Sequence, residues 1–197
     1  MSSFYYGRIP FDPTICTDVL SHQWRALWSQ YVIYQRNYII AALNRSGDAK
    51  NAAEMMVKCQ YEIAASWGKF FGTRGAAFLR ALLNNEDQFL VAVVGDTLAN
   101  DTQKLKVDIA AWYKAGTQLA LYISESNPKY WPFRKIIVLV QEHIKYLTDQ
   151  ITARHNQQWV SDINAFNKSM AEILRFSDVI TDGITRRQND RNRFIVR

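Results

Sequence analysis

Three polar residues of types that can do chemistry recur along the chain at a regular spacing. Tyr31, Glu86 and His143 lie 55 and 57 residues apart, and each falls in the opening turns of a long amphipathic stretch. In a repeated helical bundle, side chains that act together converge from several helices at equivalent inward positions. Here those positions carry a phenol, a carboxyl and an imidazole, and this set matches no catalytic constellation.

The same period of about 55 residues appears in the apolar positions between these three. The segment Asp108–Trp112 (DIAAW) is echoed by Asp162–Phe166 (DINAF). Ile63, Leu119 and Ile173 hold equivalent places 56 and 54 residues apart. The repeat predicts three helical hairpins in succession.

Turn signals divide the chain into helical stretches. Apolar residues recur at helical spacing over 18–44, 48–71, 76–98, 103–124, 131–154 and 158–184, separated by segments rich in Gly, Pro, Asn and Asp. Short connections make sequential helices antiparallel neighbours. The sequence therefore predicts an all-α fold, an up-and-down helical bundle of about six helices. We expect an extended N-terminal arm over 1–17, the helical bundle over 18–184 and a basic C-terminal tail over 185–197.

Aromatic residues dominate the predicted core. The chain of 197 residues has 48% hydrophobic residues, including six Trp, ten Tyr and ten Phe, enough for one domain with a sizeable core. At helical spacing, such rings are typical of core packing rather than of a ligand cage. The residues expected largely inside are Trp24, Trp28, Tyr31, Trp67, Phe89, Trp112, Phe166 and Phe176.

Positive charge is concentrated at the C-terminal end. The net charge is +6, and the segment 185–197 contributes five arginines against one aspartate, or +4, whereas the body is nearly neutral. A basic tail of this kind binds nucleic acid, an anionic membrane or an acidic protein surface. The composition of this segment does not distinguish among these three classes of partner.

Several classes of protein are disfavoured. The first residues do not form a secretory signal peptide, and no window has the apolar length of a membrane-spanning helix. Cys16 and Cys59 have neither disulfide-framework nor zinc spacing. The chain contains no GxGxxG, GxxxxGK[ST], GxSxG or HExxH motif. The acidic pairs Glu86–Asp87 and Asp178 with Asp182 are expected to face solvent.

Motifs spread over several helices carry a resemblance to a known family. These are Leu27–Arg36 (LWSQYVIYQR), Trp112, Asn127 with Pro128, His143 with Thr148, and Ile173–Ile184 (ILRFSDVITDGI). From Leu27 to Ile184 the chain resembles a poorly characterised family of small all-helical bundle proteins of bacteria, with relatives in large DNA viruses. The resemblance implies a helical bundle and no established activity.

The resemblance also implies that a cluster of metal ligands has been altered in this chain. Bacterial members have Glu-His where this chain has Gln30 and Tyr31, a His near Glu86, a Glu in place of Gln150, and two His in place of Met170 and Glu172. His143 is retained. Carboxylates and imidazoles that converge from several helices are what a metal site in a bundle requires. If a metal binds here, its ligands are Glu86, His143 and Glu172.

Three hypotheses follow for function. The preferred one is a non-enzymatic structural or interaction protein, a minor capsid or virion component of a large DNA virus that binds other protein subunits of an assembly and needs no cofactor. It would be located in the virion or the host cytoplasm. The second is a metal-binding helical-bundle enzyme centred on His143, and the third is an adaptor for nucleic acid or anionic membrane. The expected partner-binding residues are Phe4, Tyr5, Tyr6, Phe11, Arg186, Arg187, Arg191, Arg193, Phe194 and Arg197.

Overall fold

The computed structural model describes the backbone of residues 17–195 and the side chains of residues 18–192. These residues form five helices and no strand. The helices are α1 (Thr17–Leu43), α2 (Ala49–Ala99), α3 (Thr102–Ser126), α4 (Phe133–His155) and α5 (Trp159–Ile195). The predicted all-α class and the helical bundle are confirmed. Cys59 has a buried free thiol, whereas Cys16 lies outside the described residues.

Helix α2 is 51 residues long and folds back on itself at Gly72. Gly72 has φ 77° and ψ 171°, a backbone conformation that is open to glycine and strained for other residues. Gln60 and Asp87 lie 27 residues apart, and a straight helix would separate them by roughly 40 Å. Their side chains are instead hydrogen-bonded at 2.5 Å. The two arms of α2 are therefore antiparallel.

The prediction of about six helices in three hairpins needs correction. The break expected over 72–75 is confined to Gly72, and helical hydrogen bonding resumes directly after it, so the second and third predicted helices form one bent helix. The other boundaries lie close to the predicted ones. Asp101 ends the turn before α3 by accepting a hydrogen bond from the Lys104 backbone N–H at 3.0 Å.

The helices close into a ring in which sequence neighbours pack together and α5 returns to α1. Two ion pairs join α5 to α1 along their length. Arg25 binds Asp178 near one end, and Arg36 binds Asp162 near the other. The residue numbers rise in α1 while they fall in α5, so these helices are antiparallel. All five helices consequently point side chains at one shared core.

Most of the predicted aromatic core is buried. Trp24, Trp28, Tyr31, Trp67, Trp112 and Phe176 are buried, and Phe89 and Phe166 are partly buried against the core. The rings form contacts near the bend of α2, where Trp67 stacks on both Phe71 and Trp131. Stabilisation of the bundle comes largely from burying these rings, at roughly 25 cal/mol per Å² of apolar surface.

The loop between α3 and α4 is fastened to α5 at a glycine. A Cβ atom at Gly183 would lie 1.9 Å from Trp131 Nε1, so only glycine leaves room for the buried indole. The indole N–H of Trp131 donates to the Val179 carbonyl at 2.9 Å. The Asn127 side-chain amide donates to the Gly183 carbonyl at 2.9 Å.

The basic segment expected to be a tail over 185–197 continues α5 as a helix to Ile195. Its last turns pack on the body of the bundle. Arg187 donates to the Ser126 carbonyl at 3.2 Å and lies over the Phe71 ring at 4.7 Å. Lys129 and Tyr130 both bind the Asp190 carboxylate at 2.5 Å. The helix extends past Ile184 because these contacts with distant parts of the chain stabilise it.

Candidate functional site

A cavity of about 30 Å³, here named the central cavity, lies inside the bundle and receives side chains from all five helices. It has room for about two water-sized groups, since one needs roughly 10–15 Å³. The lining side chains are those of Trp28, Tyr31, Gln35, Leu83, Glu86, Trp112, Leu119, Leu139, Val140, His143, Leu147, Glu172, Ile173 and Phe176. Tyr31, Glu86 and His143, the residues related by the repeat, therefore meet at one place.

Glu86 reaches the cavity from the second arm of α2 and is only 7% exposed. Its Oε2 accepts a hydrogen bond from Trp112 Nε1 at 2.8 Å. Its Oε1 has no hydrogen-bond partner among the residues that the structure describes. Burial, together with the adjacent Asp87 carboxylate, raises the pKa of Glu86 from 4.5 to about 8. Glu86 is therefore mainly protonated at neutral pH.

Asp87 lies beside Glu86 and is held by three neutral donors. Tyr31 Oη donates to Oδ1 at 2.7 Å, Gln35 Nε2 donates to the same oxygen at 3.2 Å, and Gln60 Nε2 donates to Oδ2 at 2.5 Å. Burial raises the pKa of Asp87 to about 6, although the three hydrogen bonds oppose the shift. The expectation that Glu86 and Asp87 face solvent was wrong, because the pair lies on the buried face of α2.

His143 projects from α4 and has both ring nitrogens engaged by protein groups. Nε2 lies 3.2 Å from Gln35 Oε1, and Nδ1 lies 3.2 Å from Ser169 Oγ. The Gln35 amide nitrogen donates to Asp87, so the Gln35 side-chain oxygen is the atom that faces His143 and it accepts a hydrogen bond. His143 Nε2 therefore carries the imidazole proton, and Nδ1 accepts a hydrogen bond from the Ser169 hydroxyl. Burial lowers the pKa of His143 to about 4. The imidazole is neutral at pH 7 and has no free nitrogen.

Glu172 enters the cavity from α5 and is 3% exposed. Its Oε2 accepts from Arg175 at 3.1 Å. Its Oε1, like that of Glu86, has no partner within the described part of the chain. Burial raises the pKa of Glu172, and the neighbouring Glu142 carboxylate acts in the same direction, whereas Arg175 opposes them.

The residues named by the resemblance as ligand positions are only partly brought together. Glu86, His143 and Glu172 line the central cavity. Gln30 is exposed, and Met170 is partly buried beside the core. Within residues 17–195, no group of three or more His, Cys, Asp or Glu side chains is arranged to hold a metal ion. Both ring nitrogens of His143 are engaged in hydrogen bonds with Gln35 and Ser169.

A second polar cluster lies between α1, α4 and α5. Arg36 binds both oxygens of Asp162, at 2.8 and 3.1 Å, and donates to Gln150 Oε1 at 3.2 Å. Arg154 reaches Asp162 at 3.4 Å. The Arg36 guanidinium also lies over the Phe166 ring, 4.6 Å from its centre. This cluster joins three helices and leaves its charged groups paired.

The predicted partner-binding residues have varied settings. Arg186 pairs with Asp182 at 2.8 Å, Arg187 packs on Phe71, and Arg191 is exposed. For Arg193 and Phe194 the structure describes the backbone alone, which is helical. Phe4, Tyr5, Tyr6, Phe11 and Arg197 lie outside the described residues.

No family model, curated protein or solved structure matches the chain. Among residues 17–195, no helix is both long enough and apolar enough to cross a membrane.

The hydrogen-bond chain that runs from Asp87 through Gln35 to His143 and Ser169 was not predicted from the sequence. A signal for part of it was present. Asp87 lies four residues after Leu83 and three before Leu90, so helical spacing places it on the apolar stripe of α2. Gln35, four residues after Tyr31, and Ser169, four before Ile173, lie on apolar stripes by the same spacing, but their hydrogen-bond partners come from distant helices and carried no signal.

Proposed function

We propose that the protein is a non-enzymatic structural or interaction protein that binds a partner through the basic end of α5. The observation that carries this proposal is the anchoring of residues 185–190 as helix against the body of the bundle, through Arg187 on Phe71 and Asp190 on Lys129. A helix fixed in this way presents its outer residues, Arg191 among them, in a defined position. Preorganised groups lose less conformational entropy when they bind.

The polar core supports a structural role for the buried residues. His143 is neutral, and its two nitrogens are used by Gln35 and Ser169. Asp87 accepts three hydrogen bonds from neutral side chains. A base for proton transfer works best with a pKa near the operating pH and with a free lone pair. His143 has neither, which favours the structural hypothesis over the enzyme centred on His143.

An acidic protein surface is the partner chemistry that we propose. Guanidinium groups form bidentate hydrogen bonds with carboxylates, which gives both affinity and orientation. The narrower assignment, a minor capsid or virion component of a large DNA virus, rests on the sequence resemblance. Nucleic acid and anionic membrane are the competing partners for the same arginines, and the test must separate them.

A charge reversal at Arg191 tests the proposal. Lys106→Glu is the matched control, because Lys106 is exposed near the start of α3, at the opposite end of the bundle. A photo-crosslinking residue placed at 191 in the parent assembly should capture one protein partner, and the same residue at 106 should not. Arg191→Glu should prevent incorporation into the assembly, whereas Lys106→Glu should incorporate normally.

Three outcomes would contradict the proposal. Binding to unrelated DNA with a log-log salt slope that falls by about one unit in Arg191→Glu indicates a nucleic-acid adaptor. Sedimentation with phosphatidylserine vesicles, but not with phosphatidylcholine vesicles, indicates a membrane adaptor. A measurable turnover that disappears in His143→Gln would support the enzyme hypothesis instead.

A further inference from the structure

We propose that the central cavity binds a small primary ammonium cation, either ammonium itself or methylammonium. This ligand is separate from the partner that the basic end of α5 is proposed to bind. The proposal rests on the carboxyl groups, the rings and the size of the cavity.

The adjacent acids Glu86 and Asp87 are buried without a cation beside them. Every donor found to reach the pair is neutral: Tyr31, Gln35, Gln60 and Trp112. Buried carboxylates are normally paired with an opposite charge, because removing an isolated charge from water is costly. Burial instead keeps Glu86 protonated. A cation in the cavity would supply the missing charge and let Glu86 ionise.

Two oxygen atoms of the cavity residues have no donor. Oε1 of Glu86 and Oε1 of Glu172 are buried and have no donor among the side chains described, although the Glu142 carboxyl lies within hydrogen-bonding reach of the Glu172 carboxyl. An ammonium group offers three or four N–H donors on one atom, which suits two acceptors from different helices. The indole N–H of Trp28 is also unpartnered within residues 18–192 and needs an acceptor. A water molecule beside ammonium itself would accept it, since about 30 Å³ has room for two water-sized groups, whereas methylammonium would fill the cavity alone.

Aromatic rings form much of the remaining wall. Trp28, Tyr31, Trp112 and Phe176 line the cavity. The faces of such rings attract cations, and alkylammonium ions are well-known ligands of aromatic cages. His143 adds no opposing charge, because it is neutral. Aromatic side chains together with carboxylate oxygens favour an organic ammonium ion over a strongly hydrated metal ion.

Binding should be linked to proton release. When the cation binds near neutral pH, Glu86 loses its proton, so affinity should rise as the pH approaches 8. Asp87 and Tyr31 are the titratable groups that interact with this carboxyl directly. His143 and Glu172 line the same cavity. Cys59 lies beside Tyr31, and Glu142 and Arg175 lie beside Glu172. Helix α3 contributes Trp112, which does not titrate.

The proposal can be tested on the unmodified full chain. Thermal unfolding is measured at pH 8 in methylammonium chloride and in sodium, potassium and tetramethylammonium chloride at equal ionic strength. Methylammonium should raise the unfolding temperature above that in the other three salts. With ¹⁵N-ammonium chloride, a bound resonance protected from solvent exchange should appear in the nitrogen–proton spectrum.

Variants locate the site. Glu86→Gln and Glu172→Gln should each weaken binding by about tenfold or more, as expected when a hydrogen bond to a charged group is lost. Asp182→Asn, which alters an exposed carboxylate on α5, should bind normally. Equal unfolding temperatures in all four salts would mean that the cavity holds only water and would overturn the proposal. So would an unchanged response in Glu86→Gln, or stabilisation by Mn²⁺ or Zn²⁺ without any by methylammonium. If Glu86→Gln does not fold, the ¹⁵N-ammonium spectrum of the unmodified chain decides.

Discussion

Gln60 and Asp87 are joined by a 2.5 Å hydrogen bond although 27 residues separate them along a single helix. The bond is possible because α2 reverses direction at Gly72. It fixes the register of the two arms, and thereby the position of the neighbouring Glu86 in the central cavity. The backbone conformation of one glycine thus determines which residues of α2 reach the core.

Substituting Gly72 should therefore destabilise the bundle. Alanine at φ 77° and ψ 171° should cost about 1–3 kcal/mol, because a Cβ atom makes that conformation strained. The space around the residue is open, so the cost is conformational rather than steric. Urea unfolding measures it. Gly47→Ala is the control, since Gly47 has open space and no positive φ, and its free energy of unfolding should change little. Equal stability of the two variants would contradict the role of Gly72.

The two ion pairs between α1 and α5 should differ in strength. Asp162→Ala leaves Arg36 and Arg154 as partly buried cations without their carboxylate and should cost about 3–5 kcal/mol. Asp178→Ala removes the exposed partner of Arg25 and should cost less than about 1 kcal/mol. Chemical denaturation of both variants gives the comparison. Similar costs would mean that burial does not control these pairs.

Trp112 should contribute through its N–H as well as through its ring. Trp112→Ala removes a buried indole and should cost about 3–5 kcal/mol, as should Trp28→Ala. Trp112→Phe keeps a ring but removes the donor to Glu86, at a cost of about 1–3 kcal/mol. Adding Glu86→Leu to Trp112→Phe should recover part of that loss, because no polar atom is then left unpaired. If the double variant is less stable than Trp112→Phe, the hydrogen bond is not the cause.

The stability of the fold should fall between about pH 6.5 and pH 8. The pKa of Glu86 rises from 4.5 in the unfolded chain to about 8 in the fold, so over this range the folded state holds more protons and loses stability as the pH increases. The pKa of Asp87, about 6, gives the same sign at lower pH. His143, lowered from 6.5 to about 4, gives the opposite sign and acts only below 6.5.

Unfolding free energies measured at pH 6.5, 7, 7.5 and 8 test this dependence. Glu86→Gln should reduce the decline, whereas His143→Gln should keep it and remain folded. The pKa of Glu172 is also raised by burial and contributes with the same sign. A decline that persists unchanged in Glu86→Gln would assign it to another group.

Local signals in the sequence predicted most of the helix boundaries but not the contacts between the helices. Short motifs at Asn100–Asp101 and at Pro132 indicate where a helix starts, so α3 and α4 begin near the predicted residues. The continuation of α5 to Ile195 depends on Lys129 and Arg187, whose partners are about 60 residues away. The burial of Asp87 depends on amides from α1 and from the other arm of α2. Contacts between residues so far apart in the chain cannot be predicted from the periodicity of a single sequence.

The fit of Trp131 against Gly183 has a consequence for how the molecule opens. The indole occupies the space that a Cβ atom would take, so the α3–α4 loop cannot leave α5 without exposing a tryptophan that is fully buried. Local opening at this end of the bundle must then release the loop and the C-terminal turns of α5 together. Their amide hydrogens should exchange with solvent at one common rate, as a single cooperative unit.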